Sequence, residues 1–77
     1  MRTAYLFINL ESGAEQEVLK ELKEIEGVQE AYFVYGVYDI IVKVQADSMG
    51  KLKDIVSFKI RSLDKVRSTL TLVAMGE

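Results

Sequence analysis

Apolar and polar positions alternate along residues 3–10. Ala4, Leu6, Ile8 and Leu10 fall on one side, and Thr3, Tyr5, Phe7 and Asn9 on the other. A period of two predicts a strand. The period then lengthens, with Ala14, Val18, Leu19, Leu22 and Ile25 recurring at helical spacing, which predicts a helix over about 13–26. Ser12-Gly13-Ala14-Glu15 fits a capping box, with Ser12 as N-cap and Glu15 three residues on. Gly27 stands where a left-handed C-terminal cap belongs. Two runs rich in β-branched and aromatic residues, 28–35 and 38–46, follow on either side of Gly36-Val37. A two-residue loop with glycine first suits a type II′ hairpin, because glycine accepts the positive φ required there. Asp47-Ser48 offers a second N-cap. Met49, Leu52, Ile55, Val56, Ile60 and Leu63 mark a second amphipathic helix, and residues 66–75 read as a closing strand.

The order is β-α-β-β-α-β, and it repeats. A shift of 38 residues lays Val18, Leu22, Ile25 and Val28 on Val56, Ile60, Leu63 and Val66, and lays Leu6 and Ile8 on Val44 and Ala46. Two βαβ halves in tandem predict a ferredoxin-like α+β fold, with right-handed crossovers placing both helices on one face of a four-stranded antiparallel sheet. The expected domain spans 1–77. If Leu6, Ile8, Val42, Val44, Leu70 and Leu72 face the helices, the other face carries Tyr5, Phe7, Ala31, Phe33, Ile41, Thr69, Thr71 and Val73. A water-facing sheet surface should be more polar than that. Dimerisation through this face is the expectation.

Composition narrows the choice of function. A 77-residue chain buries only about 60–65% of its unfolded surface, and domains this small add disulfides, a metal or partners. With no Cys and no His, there is no thiolate, imidazole base, zinc or haem site, and no calcium-loop motif is present. Self-association remains, and no cofactor is expected. The N-terminus lacks a signal peptide's apolar core and no apolar run reaches the roughly 20 residues of a membrane span, so a cytoplasmic location is expected. The net charge of −2 gives no general footprint for nucleic acid. The charge is uneven, however: residues 1–38 carry net −4 and residues 39–77 net +2. The first helix shows Glu15, Glu17, Glu21 and Glu24, the second Lys51, Lys53, Lys59 and Arg61. Attraction between the two helices, or between neighbouring dimers, accounts for the pattern.

Two motifs carry candidate chemistry: Tyr35-Gly36-Val37-Tyr38-Asp39-Ile40-Ile41 at the hairpin, and Val66-Arg67-Ser68-Thr69-Leu70-Thr71-Leu72 one helix later. Together, G-x-Y-D-hydrophobic and V-x-x-T-x-T-hydrophobic resemble the C-terminal, regulation-of-amino-acid-metabolism domain of the leucine-responsive/asparagine (Lrp/AsnC) regulator family, over nearly the whole chain. In that family the domain follows a helix-turn-helix DNA reader. This chain starts at the first strand, so it is expected to be a stand-alone version that does not itself contact DNA. The resemblance implies dimers built from facing sheets, octamer-like rings of dimers, and a free amino acid bound between dimers. It also implies modulation of transcription through full-length regulators of the family.

The residues can be read beside that likeness. Asp39 could pair with an α-ammonium, and turn N–H groups of Gly36, Val37 and Tyr38 could cradle a carboxylate. Ser68, Thr69 and Thr71 offer hydroxyls, and Tyr38, Tyr35 or Tyr32 could wall the ligand's side chain. Structural roles compete with each: Asp39 and Gly36 serve a hairpin, and two threonines are ordinary strand formers. Three other readings stay open. A cofactor-free ferredoxin-like enzyme would need an acid or base, and only Asp39, the tyrosines and the lysines qualify. RNA binding would need basic residues among the sheet-face aromatics. An amino-acid sensor of the ACT type would differ in its assembly.

Overall fold

The computed structural model describes residues 1–75. Its elements are β1 (Arg2–Leu10), α1 (Glu15–Lys23), β2 (Val28–Phe33), β3 (Ile40–Ala46), α2 (Met49–Asp54) and β4 (Val66–Val73). From α2 the chain runs on into a wider, π-type segment, Ile55–Ile60, where the Arg61 N–H donates to the Val56 carbonyl five residues back. The sheet order is β2-β3-β1-β4 with every pair antiparallel, as the ferredoxin-like reading predicts. Among the described residues, no helix is long and apolar enough to cross a membrane.

The core lies between one sheet face and the helices. Ala4, Leu6, Ile8, Ile40, Val42 and Val44 from the central strands meet Val18 and Leu22 of α1, and Leu52, Val56 and Ile60 of the second helical stretch. Leu52, Val56 and Ile60 recur every four residues, so the long stretch keeps one stripe inward. Leu6, Ile8, Leu22, Ile40, Leu52 and Ile60 are among the largest fully buried side chains. Each contributes about 1.5–3 kcal/mol of transfer free energy.

The capping box does not form. The N-cap position of α1 is Ala14, without a side-chain hydrogen bond, and the helix begins at Glu15. Gly13, at φ +83°, turns the chain first, and Ala14 donates back to the Glu11 carbonyl, so Ser12 stands too early to cap. The second helix starts as expected, with the Ser48 hydroxyl accepting from the Lys51 N–H at 3.2 Å. The first helix ends at Lys23, with Glu24 in the right-handed region as its C-cap, so Gly27 lies too late to cap it. Gly27 does take a positive φ, +101°, in the turn that follows, and its carbonyl accepts from the Gln45 N–H. The hairpin keeps the register expected of a Gly36-Val37 loop, with Phe33 opposite Ile40 and one more bond from the Val34 N–H to the Asp39 carbonyl. Beyond that pair the strands separate, so residues 34–39 form a longer irregular tip in place of a two-residue turn. Gly36 has φ +124°, far from the roughly +60° of type II′.

The face assignment needs correction at both outer strands. Directly opposed residues share a face, and Ala31 opposes Val42 while Phe33 opposes Ile40, so both point toward the helices. On β4, Thr69 opposes Ile8, Thr71 opposes Leu6 and Val73 opposes Ala4. All three therefore lie on the helix side, and Leu70 and Leu72 lie on the open face opposite Phe7 and Tyr5. The central strands are placed as expected. The open face thus carries Tyr32, Ile41, Phe7 and Leu70 in one row across the sheet, and Glu30, Lys43, Tyr5 and Leu72 in the next. Leu70 and Leu72 are 43% and 49% exposed, and this face remains too apolar for a sheet surface that meets water alone.

Candidate functional site

One end of the sheet concentrates polar groups at a ladder defect. The β1–β4 register slips between Asn9 and Leu10: Asn9 opposes Ser68, but Leu10 opposes Val66. Arg67 is therefore the extra residue of a bulge, a device that bends a strand and re-aims a side chain. Asp39 bridges the same place from the start of β3. Its N–H donates to the Ile8 carbonyl at 2.9 Å, and its carboxylate accepts from the Leu10 N–H at 2.8 Å in a partly buried position. Charge-assisted bonds of this kind hold the acceptor firmly. The Asn9 side-chain amide donates to the Ser68 hydroxyl at 3.3 Å.

Asn9, Leu10, Asp39, Arg67 and Ser68 line a cavity of about 390 Å³. A second, of about 330 Å³, is lined by Arg61, Val66, Arg67, Ser68 and Thr69. Arg67 and Ser68 belong to both. The first brings a carboxylate, Asp39, together with Arg67 and the Ser68 hydroxyl, which suits a small ligand carrying both an ammonium and a carboxylate.

The structure brings together some of the candidate residues from the two motifs. Asp39 and Ser68 share the first cavity, and Thr69 lines the second. Thr71 lies opposite Leu6 and lines neither. Tyr35, Gly36 and Val37 occupy the hairpin tip, with Tyr35 and Val37 strongly exposed. Tyr38 packs its ring on Phe7 at 5.5 Å between centroids. Tyr32 stands on the open sheet face and donates to the Glu30 carboxylate at 2.8 Å. That hydrogen bond and the adjacent negative charge raise the Tyr32 pKa above its ordinary value. Arg67, Arg61 and Asn9 escape the motif reading. The bulge that exposes Arg67 depends on strand register, for which the sequence has no local signal. Among the described residues, no cluster of three or more acidic side chains that could hold a metal occurs.

Comparison with known proteins agrees with this architecture. The chain is 35% identical over 72 residues to the regulatory protein AsnC of Haemophilus influenzae, covering 92% of this chain and 48% of that one. It thus spans about half the length of that curated relative. It is also 43% identical over 58 residues to the homocitrate synthase of Saccharolobus islandicus, covering 75% of this chain but 12% of the enzyme. The crystal structure of hypothetical protein PHS023 from Pyrococcus horikoshii superposes with a TM-score of 0.93 at 39% identity, covering 100% of this chain and 93% of that one. Residues 3–77 match the model of the Lrp/AsnC ligand binding domain, and the chain belongs to that family.

Proposed function

We propose that this domain binds a free α-amino acid at the Asp39–Arg67–Ser68 cavity, between subunits of a homo-oligomer in the cytoplasm, and thereby modulates transcription. The observation that carries the reading is the pairing of a fixed carboxylate with a guanidinium on one small cavity. Asp39 meets the ammonium, Arg67 meets the carboxylate and Ser68 adds a hydroxyl, while Thr69 lines the neighbouring cavity. The hairpin residues Tyr35, Gly36, Val37 and Tyr38 project beside the site, where a neighbouring subunit would complete its wall. Tyr32 and Thr71 stand further off, at the dimer face and along β4.

The apolar open face supports a dimer of facing sheets, and oppositely charged helices support assembly of dimers into a ring. Similarity to part of a regulator and part of an enzyme fits a module whose common task is ligand sensing. In this reading the chain carries out no catalysis and acts by joining full-length Lrp/AsnC regulators. The amino acid must then favour one assembly over another, since a ligand with equal affinity for both shifts neither.

A thermal-shift screen against the twenty free amino acids, with light scattering on each hit, tests the proposal. At 100 times its dissociation constant a ligand adds about 2.7 kcal/mol of stability. A selective hit is expected, weakened about tenfold or more by Asp39→Asn, which keeps an acceptor for the Leu10 N–H but removes the charge. A folded oligomer that responds to none of the twenty would overturn it.

A further inference from the structure

The chain is acidic overall, with a net charge of −2, yet Lys59, Arg61, Lys65 and Arg67 crowd residues 59–67 against one carboxylate, Asp64. This stretch leads from the π-type segment through a turn into β4, and its four cations are exposed. Two of them border a single cavity, the one of about 330 Å³ lined by Arg61, Val66, Arg67, Ser68 and Thr69. Neither Asp39 nor Asp64 lines it. Among the described residues, ion pairs join Lys43 to Glu30 and Lys51 to Asp47, and none involves Arg61 or Arg67. Two guanidiniums on one cavity without a carboxylate partner repel each other, and an anion between them turns that repulsion into attraction.

The donors decide the kind of anion. A carboxylate has two oxygens in one plane, which a single guanidinium fork takes up bidentately. A phosphoryl group has three acceptor oxygens and a charge of about −1.5 to −2 at neutral pH, so it can meet two forks and balance both. Arginine is suited to such planar, bidentate contacts, and the Thr69 hydroxyl adds a donor. We infer that the Arg61–Arg67 cavity binds the phosphoryl group of a small molecule. The net charge of −2 gives no general footprint for a nucleic-acid backbone. Arg67 also borders the amino-acid site proposed above, but phosphate binding at this second cavity does not require that site to be occupied.

Isothermal titration of the intact protein at fixed ionic strength with inorganic phosphate, acetate and a short duplex DNA tests it. Phosphate should bind saturably, and about tenfold or more tightly than acetate, which satisfies one fork only. Arg61→Gln should weaken phosphate by about tenfold or more. Arg61 is exposed, so the variant is expected to fold, and a circular dichroism melt checks that it does. Lys51→Gln is the control for charge alone. Lys51 lines a cavity beside Ala46, at the other end of β1 from Val66, and its loss should change phosphate affinity by no more than about twofold. Equal binding of phosphate and acetate by the unaltered chain would overturn the inference, whether or not the variants fold. Equal losses in the two variants would overturn it too, as the mark of net charge without a site. Duplex DNA bound more tightly than phosphate, and lost in Arg61→Gln, would overturn the small ligand in favour of a nucleic-acid backbone.

Discussion

The two halves of the chain end their helices with the same hydrogen bonds made by different local means. Displaced by 38 residues, Ile25 N–H to Leu22 carbonyl and Leu63 N–H to Ile60 carbonyl are both 3.1 Å, and Val28 to Ile25 and Val66 to Leu63 are 3.2 and 3.1 Å. The equivalent carbonyls of Gly27 and Lys65 then accept from Gln45 and Glu11, each at 2.8 Å. Yet Gly27 has φ +101°, whereas Lys65 has no positive φ, and the half lacking the glycine is the half with the π-type segment. The fold demands where the chain must arrive and which carbonyls must be met. It does not demand one backbone route, so halves with equal apolar positions can diverge in glycine, cap and helix type.

The largest effects should fall equally on the two halves. Leu22 and its counterpart Ile60 are fully buried, and Leu22→Ala or Ile60→Ala should each cost about 2–5 kcal/mol in urea denaturation at fixed protein concentration. A much smaller loss at Ile60 would mean that the π-type half is the looser one. The helix exits should then separate. An alanine Cβ at Gly27 would stand 2.7 Å from Ile55 Cδ1 and 3.1 Å from the Gln45 carbonyl oxygen, at a φ that L-residues rarely adopt. Gly27→Ala is expected to cost about 1–3 kcal/mol, against no more than about 0.5 kcal/mol for Lys65→Ala. Helix starts separate by less. Ser48→Ala should lose about 1 kcal/mol, because Ser48 caps α2, while Ser12→Ala should stay within about 0.5 kcal/mol. Equal losses at the two serines would restore the capping box at Ser12.

The smallest contrast concerns Tyr32, whose counterpart in the second half is Leu70. The Glu30 carboxylate raises the Tyr32 pKa, so Glu30→Gln should move the phenol's ultraviolet titration down toward about 10. A pKa raised in the folded state gives stability that is complete below the unfolded value and lost as pH rises through the folded one. Through this contact stability should therefore not vary with pH near neutrality and should fall only in alkali. A titration unmoved by Glu30→Gln would remove the contact from solution.

Hydrophobic spacing was enough to read six of the elements, their order and the repeat, because strand and helix periods differ and each apolar stripe must be buried. The core positions of β1, β3 and both helices follow from the same stripes. The outer strands show where that reasoning fails. Leu70 and Leu72 alternate with Thr69 and Thr71, and sending the leucines to the helices assumes that only one sheet face is apolar. Here both are. The face of β2 is nevertheless legible, since a Gly36-Val37 loop sets Phe33 opposite Ile40 and Ala31 opposite Val42. The 38-residue repeat carries Ala31 and Phe33 onto Thr69 and Thr71, so the face of β4 is legible from that register as well. The candidate site was legible only as two motifs, which place Asp39 and Ser68 in the right elements.

By itself, then, the amino-acid sequence determined the ferredoxin-like order, the helix stripes, the positive φ at Gly27 and the Ser48 cap, all consequences of local sterics and of period. Tertiary structure alone decided the bulge at Arg67 and the use of the Asp39 carboxylate by the Leu10 N–H. Those features arise where chain segments tens of residues apart are set in register, and pairing across such distances leaves no periodic trace in the segments that are paired.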